Sequence, residues 1–477
     1  MSPLTLAILL LLLLGSIWTF IHILCASSSW SRPKDPKNEL KFPPGPRALP
    51  IIGNLHMLGS LPHRALQTLA KKYGPIMSLR LGHVPTIVVS TPQAAELFLK
   101  THDTIFASRP KLLASEYMSY GTKGMAFTEY GPYWRNVRKL CTLQLLSASK
   151  IESFAPMRKQ ELGSLVQSLK KAAARHEVVD LSAKGAFNLA DYVPYLGILD
   201  LQGLTRRMKK VSKDLDVVLE KIIEEHEQIP SGQQDRQRDF IDVLLSLMNQ
   251  PMNPHDEHVY IIDRTNIKAI IVDMIMGNYD TSTTTIEWTF SELLRHPRVM
   301  KHVQEELERV IGMNRMVEET DLPNLTYLDM VVKESFRLHP IAPLLTPRES
   351  MEDIEINGYY IPKKSRLIIN FWAIGRDPNV WSDNVEEFYP ERFLNSNIDL
   401  RGRDFQLLPF GSGRRGCPGI HLGLITVKYV LAQLLHCFDW VLPSGMFPND
   451  MDMSEKFGLA VSRAKHLLAM PTYRLHN

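Results

Sequence analysis

Cysteine is scarce in this sequence of 477 residues, which contains only Cys25, Cys141, Cys417 and Cys437. No two of them form a Cys-x-x-Cys pair, so neither a zinc ribbon nor a disulfide-stabilised scaffold is predicted. Sparse cysteines are typical of a catalytic region in a reducing compartment.

An excess of charge is also missing. The net charge is +4 at pH 7 and the basic residues are scattered, which gives no support for a nucleic-acid partner. No internal repeat is visible. A composition of 44% hydrophobic and 22% charged residues is that of a globular protein with a large core. The length suits one large catalytic unit or two to three ordinary domains.

Charged residues are absent between Leu4 and Ala26. As a helix, this run is long enough to cross roughly 30 Å of hydrocarbon. A cleaved signal peptide is the competing interpretation, with a cleavage site at Cys25-Ala26-Ser27. The run is longer than a signal-peptide core and no basic residue precedes it, which favours a retained anchor. The first basic residues follow from Arg32, which predicts a cytosolic body.

Residues 27–47 are basic and rich in proline, with Pro43-Pro44-Gly45-Pro46 near their end. Proline stiffens a chain and prevents helix continuation. The segment is either an ordinary linker or a rigid hinge that sets the pose of the body on a membrane. We therefore predict an anchor at 1–26, a hinge at 27–47 and a catalytic domain at 48–477.

Helical periodicity dominates the body, with short strand-like runs in two places. The clearest helices are predicted at Asp263–Arg295, Leu325–Leu338 and Leu422–Phe438. The strand-like runs are Ile76–Leu81 and Thr86–Ser90, separated by Gly82-His83-Val84-Pro85, and Ile354–Ile356 and Tyr359–Ile361, which flank Asn357-Gly358. These patterns predict a mainly α fold with a small β-region in a single domain.

The stretch from Phe410 to Gly419 reads FGSGRRGCPG and precedes a helix. Its glycines allow a tight turn and a close approach to a flat ligand. A thiol at a helix start is expected to have a lowered pKa, and thiolate is the ligand that promotes O–O cleavage at heme iron. Arg415 suits a carboxylate such as a heme propionate. A buried structural cysteine is the alternative for a lone Cys417, but the complete pattern resembles the heme-binding loop of cytochrome P450 enzymes.

Glu334 and Arg337 lie at i and i+3 on one helix. Alone, such a pair is typical of a helix surface. Its similarity to the ExxR motif of the family implies a buried ionic triad of Glu334, Arg337 and Arg392 that holds the heme-side core.

A glycine and polar residues interrupt the apolar pattern of the long helix at Gly277 to Ser282. They indicate either a polar stripe or a local opening of the helix that holds O₂ and water. The stretch is similar to the Ala-Gly-x-Asp-Thr motif of the family, which implies that Asp280 and Thr281 relay protons to the oxygen site. Asn278 stands where the glycine of that motif usually does, directly after Gly277, which leaves the helix distortion open.

Trp134 and Arg138 match the WxxxR motif, although an amphipathic helix with a buried tryptophan explains the same pattern. His339 is expected either to assist at the heme or only to cap helix carbonyls. The resemblance implies Cys417 as the metal ligand and heme contacts from Trp134, Arg138, His339, Arg348, Phe410, Arg415 and Gly419.

The resemblance spans nearly the whole body and is strongest to plant A-type microsomal members. It implies the cytochrome P450 fold, heme b as cofactor, and a single-pass protein of the endoplasmic reticulum membrane. The activity implied is insertion of one atom of O₂ into an apolar plant metabolite, such as a terpenoid or phenylpropanoid, with electrons from NADPH through cytochrome P450 reductase. Substrate contacts are expected from Met276, Tyr279, Ala342, Leu344, Leu345 and Leu459.

One departure from the family lies near residues 182–188, where Ser182 runs almost directly into Asn188. Family members carry more chain there, so a segment is missing. This leaves a truncated, heme-deficient membrane protein without catalysis as an alternative. A heme-thiolate isomerase or dehydratase that needs no reductase is a further alternative, against which Thr281 argues.

Overall fold

A computed structural model describes residues 10–12, 14–16, 18, 41–182, 204–228, 239–253, 259–382, 384–458 and 460–476. Helices make up most of its regular structure. The α-helices are α1 (Pro62–Tyr73), α2 (Pro92–Glu96), α3 (Leu113–Met118), α4 (Pro132–Leu140), α5 (Ala148–Ser153), α6 (Ala155–Ala174), α7 (Leu204–Glu227), α8 (Phe240–Ser246), α9 (Arg264–Arg295), α10 (Pro297–Ile311), α11 (Thr326–Leu338), α12 (Phe371–Ile374), α13 (Pro378–Trp381) and α14 (Ile420–Cys437).

Shorter helices of other types connect these elements. The 3₁₀-helices are Leu55–Met57, Glu319–Asn324, Pro390–Phe393, Gly413–Arg415 and Pro448–Asp450, and the π-helical turns are Leu97–Thr101 and Cys141–Leu145.

The strands are short and form small sheets. They are β1 (Ile76–Leu81), β2 (Val84–Val89), β3 (Val179–Asp180), β4 (Arg348–Glu349), β5 (Ile354–Ile356), β6 (Tyr359–Ile361), β7 (Arg366–Ile369), β8 (Phe438–Val441), β9 (Glu455–Lys456), β10 (Ser462–Arg463) and β11 (Leu468–Tyr473). Within the described residues, the sheets have the orders β1-β2-β7-β4, β3-β11-β8, β5-β6 and β10-β9. The prediction of a mainly α fold with a small β-region is confirmed.

Helix α9 shows why its bounds were predictable. The Asp263 side chain accepts a hydrogen bond from the Asn266 amide, and the Asn266 side chain accepts one from the Asp263 amide, which forms a capping box. The helix ends at Arg295, two residues before Pro297. The predicted bounds of α11 and α14 are also within two residues of those observed.

The first hairpin differs from its prediction. Strand β2 begins at Val84, so only Gly82 and His83 form the turn. Pro85 lies within β2, opposite Arg80, and is tolerated because pairing of β2 with β7 begins only at Thr86. The second hairpin agrees with its prediction.

The proline-rich segment is packed against the body rather than separate from it. The Ser78 amide donates to the Pro44 carbonyl over 2.9 Å, and Ser78 Oγ donates to the Pro43 carbonyl over 2.6 Å. A Cβ on Gly45 would lie 1.9 Å from the Ser78 carbonyl oxygen, so only glycine fits this contact. Contacts with the β-region begin at Lys41, whose carbonyl accepts from the Tyr360 amide, before the predicted start at Ala48.

Helix α9 crosses the protein and packs against α10, α11 and α14. Helix α14 is also long and apolar enough to span a membrane, as judged among the described residues, but half of it is buried in the protein, as in an ordinary core helix. The predicted anchor and hinge lie mostly outside the described residues, so both remain predictions. Residues 10–12, 14–16 and 18 are helical and exposed.

Candidate active site

A cavity of about 540 Å³ is lined by the cysteine-containing loop and by the middle of α9. Cys417 and Pro418 come from the loop, whereas Thr281 and Ser282 come from the helix. The wall is mostly apolar with a small number of polar groups. This combination is typical of a site for a cofactor or a small organic ligand.

The loop that carries Cys417 is closed by backbone hydrogen bonds. The Cys417 amide donates to the Phe410 carbonyl over 2.8 Å, and the Gly416 amide donates to the Gly413 carbonyl over 3.0 Å. Gly413 has a φ of +65°, and a Cβ there would lie 2.4 Å from Asp103 Oδ1. Only glycine fits that position, so the sequence holds the loop close to Asp103.

The Cys417 side chain is exposed to the cavity, although protein atoms surround the cavity itself. Burial raises the pKa of the Cys417 thiol, whereas a backbone hydrogen bond from Gly419 and the charge of Arg138 lower it. The predicted lowering of this pKa is therefore wrong for the protein alone. Helix α14 starts only at Ile420, and desolvation outweighs its N-terminus. Coordination to a metal ion deprotonates such a thiol outright.

Four arginines line the cavity: Arg109, Arg138, Arg348 and Arg415. Among the described residues, only Arg348 has a carboxylate partner, with Nη1 2.7 Å from Asp103 Oδ1. Burial, followed by the charges of Arg348 and Arg138, lowers the pKa of Arg415 to about 9. Burial and the other three guanidinium groups lower the pKa of Arg109 well below its usual value. The positive charge of Arg109, Arg138 and Arg415, which have no carboxylate partner among the described residues, favours an anionic ligand.

Arg109 was missed by the sequence analysis. It is buried, and its Nη1 donates to the carbonyls of Thr346 over 2.5 Å and Pro347 over 2.8 Å. Its only local signal is an arginine before a proline in an irregular segment. Its place beside the other three arginines is visible only in the folded chain.

Trp134 and Arg138 lie one turn apart on α4, and both line the cavity. Arg138 Nη2 donates to the Gly416 carbonyl over 2.7 Å, which connects α4 to the loop that carries Cys417. The Trp134 indole N–H donates to the Met125 carbonyl over 3.0 Å. The two residues are together at the cavity, but the indole N–H already has a partner.

These residues fit a heme group. The two propionates are carboxylates, which match the arginine cluster. The Cys417 thiol would supply the protein ligand that heme iron requires. Phe410 and Gly419 line the same wall, and the absence of a side chain on Gly419 allows a flat ring to approach the sulfur.

Helix α9 is α-helical throughout, including Gly277 to Ser282, and shows no local opening. Thr281 lines the cavity, and its hydroxyl donates to the Gly277 carbonyl over 2.6 Å within the helix. Asp280 is half-buried and does not line the cavity. Because Asn278 replaces the glycine of the Ala-Gly-x-Asp-Thr motif, nothing in the local sequence favours a break in the helix.

Asp273 is a second residue that the sequence analysis missed. It is the only acidic side chain on the cavity wall within the described residues. Its Oδ2 accepts hydrogen bonds from the Met125 and Ala126 amides, the latter over 3.1 Å. Burial raises the pKa of this carboxyl to about 6, against the effect of these two bonds. An acid within the apolar run of a buried helix was the available signal.

Only some of the predicted substrate contacts lie on the cavity wall. Ala342 and Leu345 line the cavity, whereas Leu344 packs near strand β1 instead. Leu459 lies outside the described residues.

The other two predicted contacts, Met276 and Tyr279, are not on the cavity wall. Tyr279 is 61% exposed, and Met276 packs in a cluster with the α4 region. Successive residues on a helix point about 100° apart, so an error of one position in phase turns a side chain away. Gly277 and Asn278 occupy the cavity face instead.

His339 does not line the cavity, so a direct contact with the cofactor is corrected. Its Nε2 lies 2.6 Å from Glu292 Oε1, and its ring stacks on Trp288. Among the described residues, its side chain donates to no helix carbonyl.

Glu334, Arg337 and Arg392 come together behind the cavity. Arg337 Nε lies 2.7 Å from Glu334 Oε2, and Arg392 Nε lies 2.9 Å from Glu334 Oε1. Glu334 and Arg337 are fully buried. Arg337 also donates to the Gly375, Val385 and Glu387 carbonyls, so its guanidinium connects α11 to two other stretches of chain.

Comparison with known proteins identifies the family of this chain. The family model described as Cytochrome P450 matches residues 43–188 and 173–468. The chain is 60% identical to cytochrome P450 CYP736A12 of Panax ginseng over 510 aligned positions, which cover 100% of both chains. It is 42% identical to cytochrome P450 71A1 of Persea americana, with 86% of this chain and 89% of the relative covered.

A further relative is the flavonoid 3',5'-hydroxylase of Solanum melongena, at 40% identity with 96% of this chain and 94% of the relative covered. Among solved structures, a zebra fish cytochrome P450 with progesterone superposes with a TM-score of 0.71 at 26% identity, covering 86% of this chain and 99% of that one. Because the family model matches most of the chain and the plant relatives align along nearly all of it, the chain is a plant member of the cytochrome P450 family.

Proposed function

We propose that this cytochrome P450 monooxygenase holds heme b through Cys417 and inserts one atom of O₂ into an apolar small molecule. The observation that carries the proposal is the shared cavity, in which a free thiol faces the wall formed by Thr281 and the middle of α9. The four arginines on the wall of the same cavity supply the charge that the propionates require.

The residues of the cavity have distinct tasks in this proposal. Arg109, Arg138, Arg348 and Arg415 hold the propionates, and Cys417 holds the iron. When bound, heme supplies the activation of molecular oxygen, for which a thiolate ligand is suited. Burial keeps the guanidinium groups away from bulk water, which strengthens each contact with a carboxylate.

Proton supply to the cavity is assigned to Thr281. Its hydroxyl lies on the cavity wall and donates to the Gly277 carbonyl, so it can hold a water or a dioxygen molecule by changing its partner. Asp280, half-buried beside it and off the wall, can pass protons from solvent. The uninterrupted helix means that this transfer runs through side chains rather than through an opened backbone.

The substrate is proposed to be an apolar plant metabolite such as a terpenoid or phenylpropanoid. Phe127, Leu146, Phe240 and Ile341 contribute apolar surface to the wall, with Asp273 among the few polar groups. Such a wall binds by burial of hydrocarbon, with orientation from isolated polar contacts. The eggplant relative, whose name gives flavonoid hydroxylation, supports a hydroxylated specialised metabolite.

Electrons are proposed to come from NADPH through a membrane-bound reductase. Of the basic residues near the loop, Lys139 is exposed and Arg414 is 47% exposed while paired with Asp103. Lys428 is paired with Asp329, and Arg138 faces the cavity, so neither is part of an exposed docking patch. Lys139→Glu should slow reductase-supported turnover while leaving binding spectra intact. Lys456→Glu, exposed on β9, is the matched control.

A membrane anchor at 1–26, with 27–47 between it and the body, places the enzyme at the endoplasmic reticulum membrane in this proposal. The absence of charge from Leu4 to Ala26 supports it. Alkaline extraction of membranes from cells that express the full chain tests it. Release of the whole protein into the supernatant would contradict an integral anchor.

A second candidate is a heme-deficient protein without catalysis, because a segment is missing near residues 182–188. The two matches to the family model overlap at 173–188, and the alignment with the ginseng relative spans 510 positions although the chain has 477 residues. Residues 183–188 lie outside the described residues. Tyr279, an aromatic side chain on the central helix, is 61% exposed, as expected where a covering segment is lost.

The reduced–CO band of the wild type decides between the two candidates, and Cys417→Ser tests whether Cys417 is the ligand. The wild-type protein is expected to give the reduced–CO band of a thiolate-ligated heme and NADPH-dependent product, and Cys417→Ser is expected to lose both. Cys437→Ala, a buried cysteine away from the cavity, is the control and should retain both. No band in the wild type favours the second candidate, and turnover of a hydroperoxide without NADPH favours an isomerase or dehydratase.

A further inference from the structure

The chain from His339 to Thr346 forms part of the cavity wall without belonging to a helix or strand. Ile341, Ala342 and Leu345 line the cavity from this segment. A wall made of irregular chain is positioned only by its contacts with rigid elements, since it has no ladder of its own. The contacts of His339 provide such an attachment.

One face of α9 holds the imidazole of His339 on two sides. The ring is stacked on Trp288 with a centroid distance of 4.2 Å and an interplanar angle of 5°. Its Nε2 lies 2.6 Å from Glu292 Oε1. Trp288 and Glu292 are one helical turn apart, so the two contacts fix both the plane of the ring and its rotation.

Trp288 is also connected to the cavity wall by two hydrogen bonds through Val461. The Trp288 indole N–H donates to the Val461 carbonyl over 2.8 Å, and the Val461 amide donates to the Ile341 carbonyl over 2.8 Å. Displacing His339 therefore affects two routes to Ile341, one along the chain and one through Val461.

In the pair of His339 and Glu292, the Glu292 carboxyl is ionised. Although burial opposes ionisation, the nearby His296 ring, the hydrogen bond from His339 and the charge of Arg295 hold the pKa of the Glu292 carboxyl well below its usual value. A hydrogen bond to an ionised carboxylate is about twice as strong as one between neutral groups. His339 Nδ1 is buried without a hydrogen-bond partner among the described residues, and an unpaired buried polar atom costs free energy.

We propose that His339 is a positioning residue that fixes the wall segment Ile341–Leu345 through Trp288 and Glu292, and thereby selects which atom of the substrate is oxidised. The selectivity part of this inference rests on the proposed monooxygenase function. The positional part concerns the chain itself and holds with or without a cofactor.

Three variants separate the contacts. His339→Phe keeps a stacked ring but removes the donor to Glu292, and His339→Gln keeps a donor but removes the stack. Thr289→Val is the matched control, because Thr289 Oγ1 donates to Ser335 Oγ over 2.8 Å and joins α9 to α11 without lining the cavity. All three remove one buried contact of the same helix.

Two measurements are made on each full-length variant. They are the hydrogen-exchange rate of the Val461 amide and the ratio of regioisomeric products from one apolar substrate. The reduced–CO band of each variant serves as the control for heme content. In both His339 variants, the Val461 amide is expected to exchange its hydrogen faster than in the wild type. The product ratio is expected to change by about tenfold, since small misplacements of a bound substrate alter its reactivity strongly. Thr289→Val is expected to lower the melting temperature and leave both unchanged.

The inference is overturned by wild-type exchange at Val461 in both His339 variants, or by an equal change in Thr289→Val. Faster exchange with an unaltered product ratio rejects the selectivity part. If the wild type forms neither band nor product, the monooxygenase proposal fails, while the exchange comparison still decides the positional part.

Discussion

Arg415 Cζ lies 4.1 Å from the centre of the Trp134 indole ring. The two residues belong to motifs that are far apart in the sequence, and they meet at the cavity. A guanidinium over an indole face is stabilised by cation–π attraction, which is strongest when water is excluded. Trp134 thus partly offsets the repulsion that Arg415 experiences from Arg138 and Arg348.

Trp134→Leu should weaken heme binding by about 1–2 kcal/mol, because Arg415 loses the face that steadies it. The measurement is a titration of the apoprotein with hemin. Trp440→Phe serves as control, since Trp440 is buried with its indole N–H on the Leu434 carbonyl, away from the cavity. Equal hemin affinity in wild type and Trp134→Leu would reject the idea.

Arg337→Leu should lower the free energy of unfolding by about 3–5 kcal/mol, because it leaves the Glu334 carboxylate buried with one partner fewer. Urea unfolding of the heme-loaded protein measures this loss. Arg298→Ala provides the comparison: its pair with Glu391 is 2.5 Å long but exposed on the arginine side, and removing it should cost about 1 kcal/mol at most. Similar losses in both variants would contradict the special role of the buried triad.

Asp273 should make stability depend on pH in the acid range. Its folded-state pKa of about 6 lies above the ordinary carboxyl value, so the folded state binds the proton more tightly. Its contribution to the free energy of unfolding is at most about 3 kcal/mol. This contribution is fully present below about pH 4 and is lost as the pH rises through about 6.

Asp273→Asn removes this titration while retaining an oxygen that accepts from the Met125 and Ala126 amides. The difference in unfolding free energy between wild type and variant should shift in favour of the variant as the pH rises through that window. A difference that stays constant with pH would show that Asp273 does not titrate there.

Thr281→Val should lower the product formed per NADPH roughly tenfold or more, because the cavity loses the hydroxyl assigned to proton supply. NADPH consumption, product and hydrogen peroxide are measured together. Thr281→Ser restores the hydroxyl and should recover coupling. Thr283→Val, whose hydroxyl also bonds within α9 but is absent from the cavity wall, controls for helix effects.

Local signals account for what the sequence predicted well. The bounds of α9 follow from the capping box at Asp263 and from Pro297, and the β5–β6 hairpin follows from Asn357-Gly358, whose φ values of 52° and 75° suit a tight turn. The motif around Cys417 is contiguous, so its residues could be read together.

Residues of the site that were missed depend on contacts between distant segments. Arg109 joins the arginine cluster only because its segment packs against Thr346 and Pro347, and no periodicity encodes that contact. Met276 failed because its assignment depended on the rotation of α9, which tertiary packing sets. His339 failed because its partner, Glu292, lies on another helix.

The parallel pairing of β2 with β7 places Thr86 opposite Arg366. On the ribosome, the β1–β2 hairpin is complete long before its partner strand is synthesised, so one edge stays bare during most of translation. Bare strand edges promote association between chains. Any fragment that ends before Arg366 lacks β7 and keeps that edge open, and we expect it to aggregate even though its helices can form.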